Sequence, residues 1–164
     1  MITLGELEDR IGAGRRLIGI DLGTKTIGLA LSDVSLTIAT PLTTIKRTKF
    51  TKDATELIEL AARHGVDGLV LGYPLNLDGT RGPRAQASES FGRSLARLTE
   101  LPVVLWDERL STSAVTRTLL EADASRRRRA ELVDKMAAAY ILQGALDRMA
   151  LERSQRRPPG GGLD

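Results

Sequence analysis

The stretch LIGIDLGTKTIGLALSD, residues Leu17 to Asp33, decides how the rest of the chain is read. Leu17 to Ile20 is a short apolar run of the kind that forms a buried strand. Asp21 closes that run, and Gly23, Thr24, Lys25 and Thr26 follow as a polar turn. A second apolar run covers Ile27 to Leu31, so the stretch predicts a hairpin with a carboxylate set into its core-forming strand. An ionised carboxylate in such a place costs several kcal/mol, roughly, unless a cation or hydrogen-bond donors compensate it. The alternative for Asp21 is an ordinary turn residue.

On either side, strand one is expected at about Arg15 to Asp21, strand two at about Thr26 to Ser32 and strand three within Ala39 to Lys46, with Pro41 suited to an edge or a strand start. Short turns between them make an antiparallel meander. The period then changes. Asp53 to His64 carries Leu57, Ile58, Leu60 and Ala61 at helical spacing, and Gly65 is its natural stop. Gly68 to Gly72, GLVLG, reads as a strand buried on both faces. A polar loop from Tyr73 to Pro83 leads to a helix over Arg84 to Thr99, a strand over Pro102 to Trp106, and a helix over Thr112 to Glu121. The run Arg126 to Arg129 is expected as a connection before a last helix from Ala130 to Leu151. Helices separate the later strands, which should therefore join the sheet in parallel. The expected architecture is α/β, a five-stranded mixed sheet of three antiparallel strands then two parallel ones, flanked by helices on both faces. Its organisation is a lead-in over 1–14, one domain over 15–151, and a basic, Pro- and Gly-rich tail over 152–164 expected to be disordered.

Composition narrows the chemistry. The chain has 164 residues, 41% of them hydrophobic, which suits one domain with its own core. Nothing approaches the roughly 20 consecutive apolar residues of a membrane-spanning helix, and the N-terminal segment has no signal-like apolar run, so no membrane association is expected. There is no cysteine and only one histidine, His64. Thiolate zinc sites, thiol nucleophiles and disulfides are excluded, and a cytoplasmic setting is expected. Any metal would be held by oxygen, which points to Mg2+ or Mn2+. The net charge is +3, with arginine clustered at Arg126, Arg127, Arg128 and Arg129, which suggests a polyanionic partner over a merely solvated surface.

Three acidic positions stand out: Asp21 on strand one, Asp107-Glu108 after the last strand, and Asp134 early in the last helix. Ligands of open α/β sheets gather at the carboxyl ends of parallel strands, which favours proximity of the first two. Asp134 has Ala137, Ala138 and Ile141 at its i+3, i+4 and i+7 positions, a small apolar face suited to close approach to a sheet. Alternatively it only favours the helix dipole. Converging carboxylates without His or Cys suit a two-metal phosphodiester hydrolase in which they act as ligands. Asp107 and Glu108 point to opposite faces if the strand continues, and the sequence leaves open which faces inward.

Four ordered segments, IGIDLGTKTIGLALSD, LGYPLNLDGTRGPRA, DERLSTSAV and VDKMAAAYILQGALD, resemble the YqgF (RuvX) family of RuvC-like nucleases in the RNase H-like superfamily, over about Leu17 to Arg148. The resemblance implies an RNase H-like fold and a cytoplasmic bacterial nuclease processing the 5′ end of pre-16S rRNA in ribosome biogenesis. The family has also been described as a Holliday-junction resolvase. It implies Asp21, Glu108 and Asp134 as catalytic metal ligands, with Asp107 as substitute for Glu108. RuvC has a second acid one turn after its last aspartate; here that position is Ala137. Thr24, Lys25, Arg81, Arg84, Arg109 and Arg126 to Arg129 are the expected nucleic-acid contacts, set against turn chemistry for Thr24 and Lys25 and ion pairing for Arg109. RNA is the favoured substrate, in a possible context of a pre-ribosomal particle, with a monomer or homodimer as the acting unit. A resolvase acting on branched DNA would need a two-fold dimer. A non-catalytic ribosome-associated module is the other alternative. IGIDLGTKTIG also resembles the first phosphate loop of the actin-like ATPases, but that fold needs a second subdomain for which this chain has no room.

Overall fold

The computed structural model describes residues 1–111 and 126–156, with the side chains of all of these except 126–135. The elements in chain order are α1 (Leu4–Arg10), β1 (Arg16–Leu22), β2 (Thr26–Ser32), β3 (Ala39–Lys46), α2 (Phe50–Arg63), β4 (Val66–Tyr73), α3 (Pro83–Leu98), β5 (Val103–Asp107), a 3-10 turn (Glu108–Leu110) and α4 (Arg126–Arg156). The helix expected over Thr112 to Glu121 lies outside the described residues.

The strands form one sheet in the order β3-β2-β1-β4-β5. β1 pairs antiparallel with β2 and β2 with β3, whereas β4 is parallel to both β1 and β5. β3 lies at the edge, and Pro41 sits opposite Ala30 beside a register shift, where a missing N–H is tolerated. β1 is central. From Leu17 onward each of its residues is buried, so alternate side chains feed two separate cores. Ile18, Ile20 and Leu22 pack with Ala54, Leu57 and Ala61 of α2 and with Phe91 and Leu95 of α3. On the opposite face Leu17 packs with Leu7 of α1 and with Ala138, Leu142, Leu146 and Met149 of α4.

At Gly19 the backbone of α4 itself comes close to the sheet. A Cβ there would lie 2.6 Å from Leu142 Cβ and 2.8 Å from the Ala138 carbonyl oxygen. The small residues Ala137, Ala138 and Ala145 let α4 lie this low on the sheet. α4 runs antiparallel to β1. Its later residues Arg153 and Arg156 lie 3.3 and 3.8 Å from Glu8 of α1, which packs at the amino end of β1, so earlier turns of α4 lie toward the strands' carboxyl ends.

Element ends differ from expectation for tertiary reasons. α2 begins at Phe50 rather than Asp53, because Phe50 meets Phe91 edge-on with ring centroids 5.4 Å apart. It stops at Gly65, with φ of 65°, as its sequence suggested. The backbone of Arg126 to Arg129 belongs to α4 rather than to a connection, in keeping with the high helix propensity of arginine. α4 also continues past Leu151 to Arg156, where ion pairs to Glu8 and Glu152 hold its last turns. The segment expected as a lead-in is packed: Leu7 is fully buried, and Ile2 bridges to Val104.

Candidate active site

Asp21 is the seat of the site. It pairs with Gly28 of β2, and because Ile20 pairs with Leu71, the next position brings Asp21 beside Gly72 of β4. A carboxylate on a central strand thus has a side-chain-free neighbour on each flank. Period-two alternation sets its direction. Leu17 and Gly19 face α4, so Asp21 faces the same side; it is 4% exposed.

The end of β5 separates Asp107 from Glu108. Val104 and Trp106 belong to the core beneath α4, Asp107 is the last residue of the strand, and Glu108 opens the 3-10 turn. Its Oε2 lies 3.1 Å from the point where a Cβ at Gly72 would sit, with Ile141 Cδ1 of α4 2.5 Å from the same point. Asp21 and Glu108 therefore occupy one face of the sheet, on either side of a glycine. Asp107 is turned away. Its carboxylate accepts from the backbone N–H of Arg109 at 3.0 Å, capping the 3-10 turn, and forms an ion pair with the Arg109 guanidinium at 2.8 Å. Hydrogen bonding from the Arg109 side chain, against some burial, holds the Asp107 pKa below its ordinary value.

Asp134 lies in α4, three and four residues before the buried Ala137 and Ala138. Since Ala138 overlies Gly19, and the helix runs antiparallel to β1, the backbone at 134 is one turn nearer the carboxyl ends of the strands. Its side chain is outside the described set. Among the described residues no three His, Cys, Asp or Glu side chains form a metal-binding group.

Around the acids, Thr24 and Lys25 are exposed in the β1–β2 turn. The turn is closed by Gly23 N–H donating to the Thr26 carbonyl at 2.9 Å. The loop after β4 is internally bonded: Asn76 N–H donates to the Thr80 carbonyl at 3.0 Å, and Asp78 accepts from Thr80 N–H and Oγ1 at 2.9 and 2.6 Å. Arg109 Nη1 reaches the Leu77 carbonyl at 3.4 Å, tying this loop to the end of β5. Arg81 is engaged with Glu89 at 2.7 Å, and Arg93 shares the same carboxylate at 2.8 Å. Arg84 is exposed at the start of α3. Two of the expected nucleic-acid contacts, Arg81 and Arg109, thus already hold carboxylates of the chain itself. Gly72 was not among the expected site residues, although the GLVLG strand ends on it; its importance depends on the neighbour that strand pairing supplies.

A central β1 bearing an acid, a 3-2-1-4-5 sheet and a helix crossing the acidic face define an RNase H-like fold of the RuvC type. Thermus thermophilus RuvC in complex with a Holliday junction substrate shares the fold with a TM-score of 0.53, at 15% identity, over 83% of this chain and 96% of that one. A second Thermus thermophilus RuvC structure gives a TM-score of 0.50 at 14% identity, over 82% of this chain and 96% of that one. Residues 15–148 match the family model RuvX, described as Holliday junction resolvase, and the chain belongs to that family. It is 66% identical over 147 residues to a Paramagnetospirillum magneticum protein named "Putative pre-16S rRNA nuclease", covering 90% of this chain and 95% of that one. A Methylocella silvestris protein of the same name is 62% identical over 149 residues, covering 91% and 92%. Family and fold together make the chain a nuclease of the RuvC-like class.

Proposed function

We propose that the protein is a metal-dependent nuclease that processes the 5′ end of pre-16S rRNA in the bacterial cytoplasm, with Asp21, Glu108 and Asp134 as its catalytic carboxylates. The observation that carries this reading is the placement of Asp21 and Glu108 on one sheet face, flanking the side-chain-free Gly72. The donor set fits a hard divalent cation: the acids offer only oxygen, and the hollow at Gly72 is one that a Cβ would fill. Asp21, Glu108 and Asp134 would hold Mg2+ or Mn2+, which when bound supplies positive charge to activate water and to stabilise the leaving oxygen.

The chain's own residues do the rest. The sheet holds Asp21 rigidly, because its strand is paired on both sides. Asp107 engages Arg109 and so keeps that guanidinium beside the β4–α3 loop. Thr24 and Lys25, two turn residues beyond the carboxylate, are placed to bind the phosphate backbone, and Arg84 and Arg126 to Arg129 are further candidates for that contact. A single site suffices for processing, so a monomer can act.

The test is incubation of the purified protein with a pre-16S 5′-leader RNA and, in parallel, a four-way DNA junction, each with Mg2+, with Mn2+ and with chelator, beside Asp21→Asn. Metal-dependent RNA cleavage that disappears in the variant is the expected result. Symmetric junction cleavage instead would move the assignment to a dimeric resolvase, the activity in the family model's description. Absence of cutting on both substrates would overturn the catalytic reading.

A further inference from the structure

Beyond Lys25 in the β1–β2 turn lies a further strip of cations. The segment KRTKFTK, residues Lys46 to Lys52, holds four cations in one short stretch. The next acid, Asp53, is buried, with Thr48 N–H and Oγ1 donating to it at 3.0 and 2.9 Å. The fold brings this segment to the end of β1. Lys46 pairs with Thr26 across the β2–β3 ladder. Arg47 N–H donates to the Lys25 carbonyl at 2.9 Å, and Arg47 Nη1 donates to the Gly23 carbonyl at 2.8 Å. Arg47 is thereby clamped onto the turn that begins two residues after Asp21.

Lys25, Lys46, Arg47, Lys49 and Lys52 are all exposed. Among the described residues, none of the five has a carboxylate within ion-pair distance. Arg15, Arg81, Arg93, Arg109, Arg148, Arg153 and Arg156, by contrast, are all paired. An unneutralised row of cations at the carboxyl end of the catalytic strand is an electrostatic footprint for a polyanion. Glu56 and Glu59 follow one and two turns further along α2 and limit the strip at Lys52.

We infer that Lys25, Lys46, Arg47, Lys49 and Lys52 form a track for the phosphate backbone of the nucleic-acid strand. The track carries the strand away from the Asp21–Glu108 face, across the β1–β2 turn and the end of the edge strand β3, to the start of α2. It rests on the nuclease reading above and adds to it the direction in which the strand leaves the site. Arg47 serves twice: its clamp on Gly23 fixes the turn, and its remaining N–H donors face solvent for a phosphate. Contacts of the track are to phosphate, which predicts binding that depends on salt more than on sequence.

The test uses the full-length chain with chelator present, so that binding is read without cutting, and a short labelled single-stranded RNA as probe. The triple variant Lys46→Gln, Lys49→Gln, Lys52→Gln is compared with Arg10→Gln, Arg63→Gln, Arg97→Gln, which removes the same charge from exposed sites at helix C-termini. Each lost phosphate contact should lower the slope of log K against log salt by about 0.7, so the track variant should lose roughly 2 from its slope. The control should keep the parent slope, and thermal melts should show both variants folded. Salt-dependent binding by the parent that both triples share alike overturns the track alone. Absence of salt-dependent binding by the parent overturns the track together with the nuclease reading.

Discussion

Gly19→Ala tests the packing on which the site depends. A Cβ at this position would meet Leu142 Cβ at 2.6 Å and the Ala138 carbonyl oxygen at 2.8 Å. Neither atom can turn aside, because one is fixed to the helix backbone and the other is part of it. Restoring ordinary contact requires α4 to withdraw by roughly 0.6–0.8 Å, in a layer packed to interior density. Overpacking of this kind costs about 1–3 kcal/mol, and rigid obstacles place it near the upper end. Replacing glycine by alanine also restricts the unfolded chain, which returns about 0.4–1 kcal/mol. The net expectation is a loss of about 2 kcal/mol, or a fall in Tm of about 4–8 °C for a chain of this size. Urea unfolding with an unchanged m value, alongside a thermal melt, measures it. A variant as stable as the parent would refute the close seating of α4 on β1, and with it the approach of position 134 to the carboxyl ends of the strands.

Gly72→Ala should cost about 1–3 kcal/mol, because its new Cβ meets the buried Ile141, and metal-dependent cleavage should fall at least tenfold, because the same Cβ meets Glu108 Oε2. Glu108→Gln should abolish cleavage with little change in Tm. Asp107→Asn should retain cleavage and lose under about 1 kcal/mol in urea unfolding, because it breaks a partly exposed pair with Arg109. In acid, Asp33 should release the β2–β3 loop. Bonds from Ser35 Oγ and from the backbone N–H groups of Ile38 and Thr37 hold its pKa at about 2, below the ordinary 3.8. Its contribution is therefore complete above about pH 4 and is lost as the pH falls toward 2, which amide exchange at Thr37 and Ile38 would report against Asp33→Asn.

β2 occupies the residues expected, β3 fills the stretch its β-branched residues marked, and β1 differs by one residue, because apolar runs and the Gly-Thr turn are local signals. Helix ends were less legible. The start of α2 depends on Phe91 and the last turn of α4 on Glu8, both distant in sequence. The choice between Asp107 and Glu108 was open because it turns on where β5 stops. The strand ends at Asp107, whose side chain caps the following turn, and Glu108 opens that turn with its carboxylate against Gly72. Pairing in space is likewise invisible in sequence: Arg81 holds Glu89, eight residues along, whereas Lys46 to Lys52 has no carboxylate within ion-pair distance among the described residues.

The layer beneath α4 also sets a schedule. Leu7 and Leu17 are made early in synthesis, but the residues that cover them, Leu142, Leu146 and Met149, follow more than a hundred residues later. At about 5–20 residues per second, this interval is on the order of 10 s. Until α4 is made, the face of β1, β4 and β5 that carries Asp21 and Glu108 lacks its main cover. Such non-local closure is also slow once the chain is complete. On the proposed reading, the site of an enzyme directed at ribosomal RNA stays unassembled until α4 has been made and has docked on the sheet.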